Sequence, residues 1–579
     1  MSSKRYDRLV GLLLLGLLLS SFLSVSGSPA PVVADISLPS VQGASTLPPL
    51  DIKQNSSTPT QVAPFIENVA TPTQATPTQP IPVSSPTALP AKTAAATVAT
   101  GTPIPPQPLP DEPLTLIRLR STQSGLKLVD QLTGLAPVKA SRLIPVEYFP
   151  AADSQTEQLL ALIPTADASL FSNLTGLEYT TLDQDADTAR YFWLKIPTDA
   201  PPQGEIWLDS GWKVLDQAGG RIFFKADLPL YLGFGFRSKL YIHKAPPRIN
   251  VSGLTQACPC PALAEATFAG MTLETPPASP VLSVIELKTR VGLITEARLR
   301  QVVDQIAKNE VRGKGILNTR YTGTAGSLYA AERLFTYFFA LGLKVEYDSF
   351  LEGGLGTVAS NVIADQAASD PAQVAKPVLL IGHYDTLGER NLKGISSNPR
   401  LPAYGANDNG VGLAGMMEVA RLLSGYHFTQ PIRYIAFGAE EQGMLGSQNY
   451  VHFTIKPAAS TAVINIDSFG YNPGEEDWVI LGFFNHGAGL KDSMVSYREK
   501  YQIALRLEIK RGEPFFRSDD FYFDQTQHEA VVLTDSYNLQ SPNNHTANDT
   551  LENVNFRTSR KVIQLTLVTV AEQAGMPGQ

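Results

Sequence analysis

Val378-Leu379-Leu380-Ile381-Gly382-His383-Tyr384-Asp385 runs from five residues with no polar side chain into a histidine and an acid. A strand with one wet face would alternate apolar and polar residues. The unbroken run Val378 to Gly382 instead suits a strand covered on both faces, as in a parallel sheet between layers of helix. The flanking sequence agrees. Upstream, Glu296 to Asn309 and Ser327 to Leu341 read as helices, the second stopped by Gly342. Leu343 to Phe350 and Ser360 to Ala364 read as strands. Downstream, strands are expected at Ile432 to Phe437, Ala462 to Ile466, Val479 to Phe483, Leu505 to Ile509 and Val531 to Thr534. Helices are expected at Val411 to Leu423, Met444 to His452 and Ala488 to Tyr501. This alternation predicts an α/β three-layer sandwich with a largely parallel mixed sheet over 281–579.

The polar residues fall at telling places on that map. His383 and Asp385 follow one strand, Glu440 and Glu441 a second, and Asp467 ends a third. Ligands of open α/β sheets gather at the carboxyl ends of strands. Asp408 lies in the turn-rich loop Gly405-Ala406-Asn407-Asp408-Asn409-Gly410. His545 and Asp549 lie in Asn543-Asn544-His545-Thr546-Ala547-Asn548-Asp549-Thr550. Two histidines with several carboxylates suit zinc or a similar divalent ion. A pair of ions needs a shared carboxylate and one histidine each, and a further carboxylate must stay off the metals as general base. Glu440 and Glu441 are neighbours at a strand end and point different ways, so one can bind metal while the other handles a proton. Taken singly, each of these residues reads first as a satisfied strand-end or capping side chain. The ordered set favours metal.

Gly382-His383-Tyr384-Asp385, Gly405 to Gly410, Ala439-Glu440-Glu441-Gln442-Gly443-Met444-Leu445-Gly446-Ser447, Asn465-Ile466-Asp467 and His545 to Asp549 together resemble the co-catalytic zinc exopeptidases of metallopeptidase family 28. That group spans bacterial aminopeptidases, glutamate carboxypeptidase and the inactive transferrin receptor. The five blocks stand in family order between about Leu317 and Ala574. The resemblance implies two zinc ions per chain, with Asp408 bridging them. His383 and Asp467 would complete one site, and Glu441 and His545 the other. Glu440 would be the general base. Asp385 would hydrogen-bond His383 and orient it, and Asp549 would do the same near His545. The family often has a cis peptide at the Asp408 loop. Arg517-Ser518-Asp519-Asp520-Phe521 resembles a Ser-Asp-His segment lining the substrate pocket, with Asp520 where histidine is common; a helix N-terminus at Asp519-Asp520 is an equal reading. Phe515, Phe516, Arg517, Asp519 and Tyr537 are the candidate pocket residues.

The implied activity is that of an aminopeptidase acting on peptide substrates. The alternatives are a carboxypeptidase of the glutamate-carboxypeptidase type, which Arg517 keeps open, a single-zinc aminoacyl cyclase, and a non-catalytic binding protein on the same fold. Retention of every ligand type and of the base disfavours the last.

The rest of the 579-residue chain frames this segment. Lys4, Arg5 and Arg8 precede the uncharged, leucine-rich run Leu9 to Val25, followed by small residues. Residues 1–27 therefore read as a secretory signal peptide in preference to a retained membrane anchor. Either places the remainder outside the cytoplasm, secreted or tied to the cell envelope by its N-terminus. Residues 28–113 are rich in Pro, Thr and Ala and cannot bury enough apolar surface to offset chain entropy, so a disordered linker is expected. Residues 114–280 show short apolar runs broken by Gly, Pro and Asp. They predict a small, mainly β accessory domain with strands at Tyr191 to Ile196, Glu205 to Leu208, Arg221 to Lys225 and Lys239 to His243, a turn at Asp216 to Gly220, and a helix near Thr156 to Leu162. His243 reads there as a surface residue. Cys258 and Cys260 are the chain's two cysteines, too few for a disulfide framework or a thiolate metal site. The net charge of -8 argues against a nucleic-acid partner. No sequence pattern sets the oligomeric state.

Overall fold

The structure, a computed structural model, describes residues 113–576 apart from 123–126, 134–142, 151–155, 172–173, 196–211, 219, 227–240, 250, 252–280, 312–313, 353–356, 370–375, 389–400, 457–458, 461, 513–517 and 536–540. Residues 1–112, which hold the segments read as leader and linker, the strand expected at Glu205 to Leu208, and Cys258 and Cys260 lie outside the described residues, as do Phe515, Phe516, Arg517 and Tyr537 of the candidate pocket.

The first described strands are β1 (Leu114–Ser121), β2 (Ile144–Phe149), β3 (Gln158–Pro164), β4 (Leu177–Asp183), β5 (Tyr191–Lys195), β6 (Trp212–Ala218), β7 (Arg221–Ala226) and β8 (Tyr241–Lys244). They form two antiparallel sheets, ordered β2-β3-β1-β4 and β6-β7-β5-β8. The mainly β expectation holds, but the helix near Thr156 to Leu162 is strand β3. All seven of its residues are buried. Leu159, Ala161 and Ile163 enter one core, and Leu160 and Leu162 another. Such a run fills both faces of a central strand as readily as a helix. The turn expected at Asp216 to Gly220 also starts later, because Asp216 belongs to β6. Its carboxylate accepts from Arg118 at 2.7 Å and Gln158 at 2.6 Å. His243 is half-buried and stacks on Trp193 at 4.1 Å between ring centres, so it is a packing residue.

The remaining chain alternates as predicted. Helices α1 (Val284–Gly292), α2 (Glu296–Lys308) and α3 (Ala325–Ala340) each start at a Ser or Thr whose side chain accepts an amide of the first turn. A two-residue hairpin, β9 (Glu310–Val311) and β10 (Gly315–Ile316), separates the last two. Then come β11 (Lys344–Glu352), β12 (Thr357–Gln366), β13 (Val378–His383), α4 (Val411–Leu423), β14 (Ile432–Phe437), α5 (Leu445–Asn449), β15 (Ala462–Ile466), β16 (Trp478–Phe483), α6 (Ala488–Lys500), β17 (Arg506–Arg511), α7 (Asp520–Gln525), β18 (Ala530–Thr534) and α8 (Phe556–Ala574). The helix expected at Met444 to His452 gives way after Asn449 to a wider π turn over Tyr450–Thr454. The eight strands are ordered β11-β12-β14-β13-β15-β18-β16-β17. β14, β13, β15 and β18 are mutually parallel at the centre, and the β11–β12, β12–β14 and β16–β18 pairs are antiparallel.

Both faces of the central strands are covered. Val378, Leu380, Ile464 and Leu533 join the large core under α2, α4 and α8. Leu379, Ile381 and Val463 pack with Tyr450 and Phe523 on the other face. Helix α8 is locked to the sheet by Asp477, just before β16. Its carboxylate accepts from Arg557 at 2.8 Å and Thr558 at 2.7 Å and also binds Lys561. Burial pushes this acid up, but Lys561, Thr558 and Arg557 outweigh it and hold it below the ordinary carboxylate value. A depressed carboxylate stabilises the fold above its unfolded pKa and loses that contribution as pH falls through the folded value. Asp477→Asn is therefore expected to cost about 2 kcal/mol at pH 7. Denaturant titrations across pH should show the gap to the parent closing below about pH 4. A constant gap would remove the ionic account.

The β-rich segment shares apolar packing with the α/β part. Phe192, Leu194 and Phe224 cluster with Leu328 of α3 and Val358 of β12, and Tyr329 donates to Asp187 at 2.6 Å. Phe224→Ala removes a fully buried ring stacked on Trp212, at an expected cost of about 3–5 kcal/mol. Calorimetry should record one unfolding transition moved down. Two transitions with the upper unmoved would mean that the segment unfolds independently.

Candidate metal centre

Because the central strands are parallel, their carboxyl ends share one edge of the sheet. β13 ends on His383, β14 runs into the turn holding Glu440 and Glu441, and Asp467 follows β15. Asp408 arrives from the loop before α4, and His545 from the loop before α8, with a left-handed backbone at φ 58°. His383 Nε2 lies 3.2 Å from Asp408 Oδ1 and 3.3 Å from Asp467 Oδ1. His545 Nε2 lies 3.0 Å from Asp408 Oδ2 and 2.9 Å from Glu441 Oε2. Asp408 thus turns one carboxylate oxygen toward each histidine. The result is two triads, His383–Asp408–Asp467 and Asp408–Glu441–His545, each with ligand atoms within 4.8 Å of one another. Glu440 is in neither.

These groups fit a divalent ion. Burial works to discharge His383, yet Glu440, Asp467, Asp385 and Asp408 outweigh it and hold the ring protonated well above its ordinary value. His545 is likewise opposed by burial but lifted to about 11 by Glu441 and Asp408. Burial raises Glu440 and Glu441, the first opposed by His383 and the second by His545. Glu441 Oε1 is buried with no hydrogen-bond partner among the described residues. Such crowding of buried acids calls for positive charge, and two imidazoles with three carboxylates form a zinc donor set.

Asp385 pairs with His383, its Oδ1 3.6 Å from Nδ1, and its backbone carbonyl lies 3.2 Å from the same nitrogen. It also has a task the sequence reading missed: its carboxylate accepts the backbone amides of Glu440 at 3.1 Å and Glu441 at 3.2 Å, so it aims the glutamate pair. Asp549 meets partners other than the one expected. Both its oxygens are taken by the amides of Asn407 at 2.8 Å and Asp408 at 2.9 Å. The Asp408–Asn409 peptide is cis. Gly405 is required in this loop: its φ is 53°, and a Cβ there would fall 2.3 Å from the Asp408 carbonyl oxygen.

Asp519 is fully buried among these acids, and burial, opposed by His383, pushes its carboxyl to about 7. Asp520 opens α7, as the helix-start reading expected. It accepts from Asn465 Nδ2 at 3.1 Å. Several neighbours, Ser518 and Asn407 among them though they stand in blocks quoted above, were given no contact of their own by sequence reasoning. Ser518 donates to Asp467 Oδ2 at 2.6 Å, and Ser468 to its Oδ1 at 3.0 Å. Asn407 donates to Asp535 at 3.1 Å and accepts the Gly470 amide at 2.6 Å. Asp535 directly follows β18, so the strand-end signal that singled out Asp467 was available for it. Arg320 is 1% exposed beside the cluster and carried no such signal.

Residues 361–570 match the model of peptidase family M28. The resemblance read from the five motif blocks is borne out. All five lie within the matched segment, and Arg320 lies before it. Aminopeptidase YwaD of Bacillus subtilis (strain 168) is 39% identical over 104 residues, 17% of this chain and 20% of that protein. Leupeptin-inactivating enzyme 1 of Streptomyces exfoliatus is 30% identical over 252 residues, 42% of this chain and 49% of that protein. The chain thus spans about half or less of the length of these curated relatives. The Legionella pneumophila LapA aminopeptidase structure is 15% identical, with a TM-score of 0.42 over 66% of this chain and 98% of that one. At that score the likeness carries no weight beside the M28 match.

Proposed function

We propose that this chain is an exported aminopeptidase that uses two zinc ions. The observation that carries the proposal is the split of Asp408, one oxygen toward His383 and the other toward His545. His383 and Asp467 would hold one ion, Glu441 and His545 the other, and Asp408 both. Bound zinc supplies Lewis acidity for a scissile carbonyl and acidifies water at neutral pH. The chain's own residues do the rest. Glu440, outside both triads and beside Glu441, takes the proton from the attacking water and delivers it to the departing amine. Asp385 fixes the backbone from which Glu440 acts. Ser518 and Ser468 hold the Asp467 carboxylate in one orientation. The substrates proposed are peptides with a free α-amine, by analogy with the aminopeptidases matched. Export is proposed from the basic residues Lys4, Arg5 and Arg8 before the apolar run Leu9 to Val25.

The test is hydrolysis of paired peptides, one with a free and one with a blocked N-terminus, with zinc and after chelation. Cleavage of the free-amine peptide alone, abolished by chelator and restored by zinc, is the expected outcome. Release of C-terminal residues from blocked peptides would replace the aminopeptidase with a carboxypeptidase. No turnover and no bound zinc would sink the enzymatic reading.

A further inference from the structure

Arg320 sits before the M28 segment, and its side chain touches no metal-ligating group. All four of its hydrogen bonds to described residues end on backbone carbonyls. Nε donates to Tyr384 at 2.7 Å, Nη1 to Tyr404 at 2.7 Å and Ile306 at 3.3 Å, and Nη2 to Gly405 at 3.0 Å. Tyr384 stands between His383 and Asp385. Tyr404 and Gly405 begin the loop that presents Asp408. One rigid guanidinium therefore joins the loop carrying one ligand of the first triad to the loop carrying the ligand common to both.

The backbone around Arg320 repeats the connection. Its amide donates to Thr386 Oγ1 at 2.9 Å. The Ala403 amide donates to the Asn318 carbonyl at 2.7 Å, and Thr319 and Ala403 form a parallel bridge. Thr322 Oγ1 donates to Asp385 Oδ2 at 3.4 Å. Segment 318–322 thus lies against both loops. The acids that act most on the guanidinium are Asp549, Asp385, Asp408 and Glu441, so a fixed positive charge also stands behind the cluster. A buried guanidinium is costly unless its donors are met. Here they are spent on setting loop geometry, with none on a carboxylate.

We infer that Arg320 is a positioning residue of the metal centre, clamping the His383–Asp385 loop and the Asp408 loop in the one relative placement that forms both triads. This rests on the two-zinc reading above. A lysine there is a single point donor and cannot span the separate carbonyls that the planar fork reaches. Groups that orient metal ligands typically govern affinity by about 10–100-fold.

The test uses the full chain and Arg320→Lys. Zinc affinity is measured by competition with a chelating indicator, and folding by near-UV circular dichroism and thermal melting. Arg320→Lys is expected to stay folded yet bind zinc roughly tenfold or more weakly, with both equivalents weakened together because Asp408 is common to them. At saturating zinc, kcat should fall more than KM changes. A folded Arg320→Lys chain with zinc affinity within about twofold of the parent, well short of that range, overturns the inference. Should Arg320→Lys not fold, Thr386→Val, which removes only the acceptor of the Arg320 amide, takes its place. It is expected to weaken zinc in the same direction by less, and parental affinity in that folded variant overturns the inference. A parent chain that binds no zinc would instead overturn the metal reading, and this inference with it.

Discussion

Asp408→Ala is expected to strip zinc from both sites at once. Each triad takes a different oxygen of this carboxylate, at 3.2 Å from His383 and 3.0 Å from His545. The side chain is 9% exposed or less, so solvent does not readily replace it. A residue that only orients a ligand costs about 10–100-fold in affinity, and losing a direct ligand common to two ions should exceed that at each. Metal analysis of purified protein should fall from two zinc equivalents to none, with activity falling alongside. One equivalent retained at parental affinity would mean that Asp408 serves a single site. His383→Ala should differ, since His383 belongs to one triad only.

Glu440→Gln should separate chemistry from binding. Glu440 lies in neither triad, and its contact with Asp385 is through the backbone amide, which the substitution keeps. Glutamine matches its size but cannot carry the proton. Positioned acid–base groups contribute about 10²–10⁴-fold. We expect kcat to drop within that range while zinc content and KM stay near parental. Loss of zinc in the variant would move Glu440 into the ligand set. Unchanged turnover would hand the proton to another group, and Asp519, fully buried among the same acids, is then the residue to substitute next.

Much of this centre was legible before any coordinates. The run Val378 to Gly382 could be placed in a buried strand because it lacks any polar residue. Its end at His383, with Glu440, Glu441 and Asp467 at other strand ends, follows from the tendency of α/β sheets to gather ligands there. Helix signals worked where the stop was local, as at Gly342, whose φ of 80° follows the end of α3. They failed at Gln158–Pro164, where an all-apolar run has no period to separate helix from strand and only its neighbours β1 and β2 settle the matter.

The supporting contacts were not legible, for a related reason. Residue type and order suffice to nominate His383, Asp408, Glu440, Glu441, Asp467 and His545, because ligation demands particular donor atoms. They do not say which of several nearby acids meets which partner. The resemblance paired Asp385 with His383 and Asp549 with His545. In the folded chain Asp385, besides its contact with His383, and Asp549 both accept backbone amides of other loops, 55 and 142 residues away, because a buried amide must find a partner. Arg320 makes the same point more strongly, because its role consists of bonds to carbonyls, and carbonyls are alike at every position. Donor chemistry is written residue by residue. The choice among identical backbone partners is made only when the sheet brings distant loops to one edge.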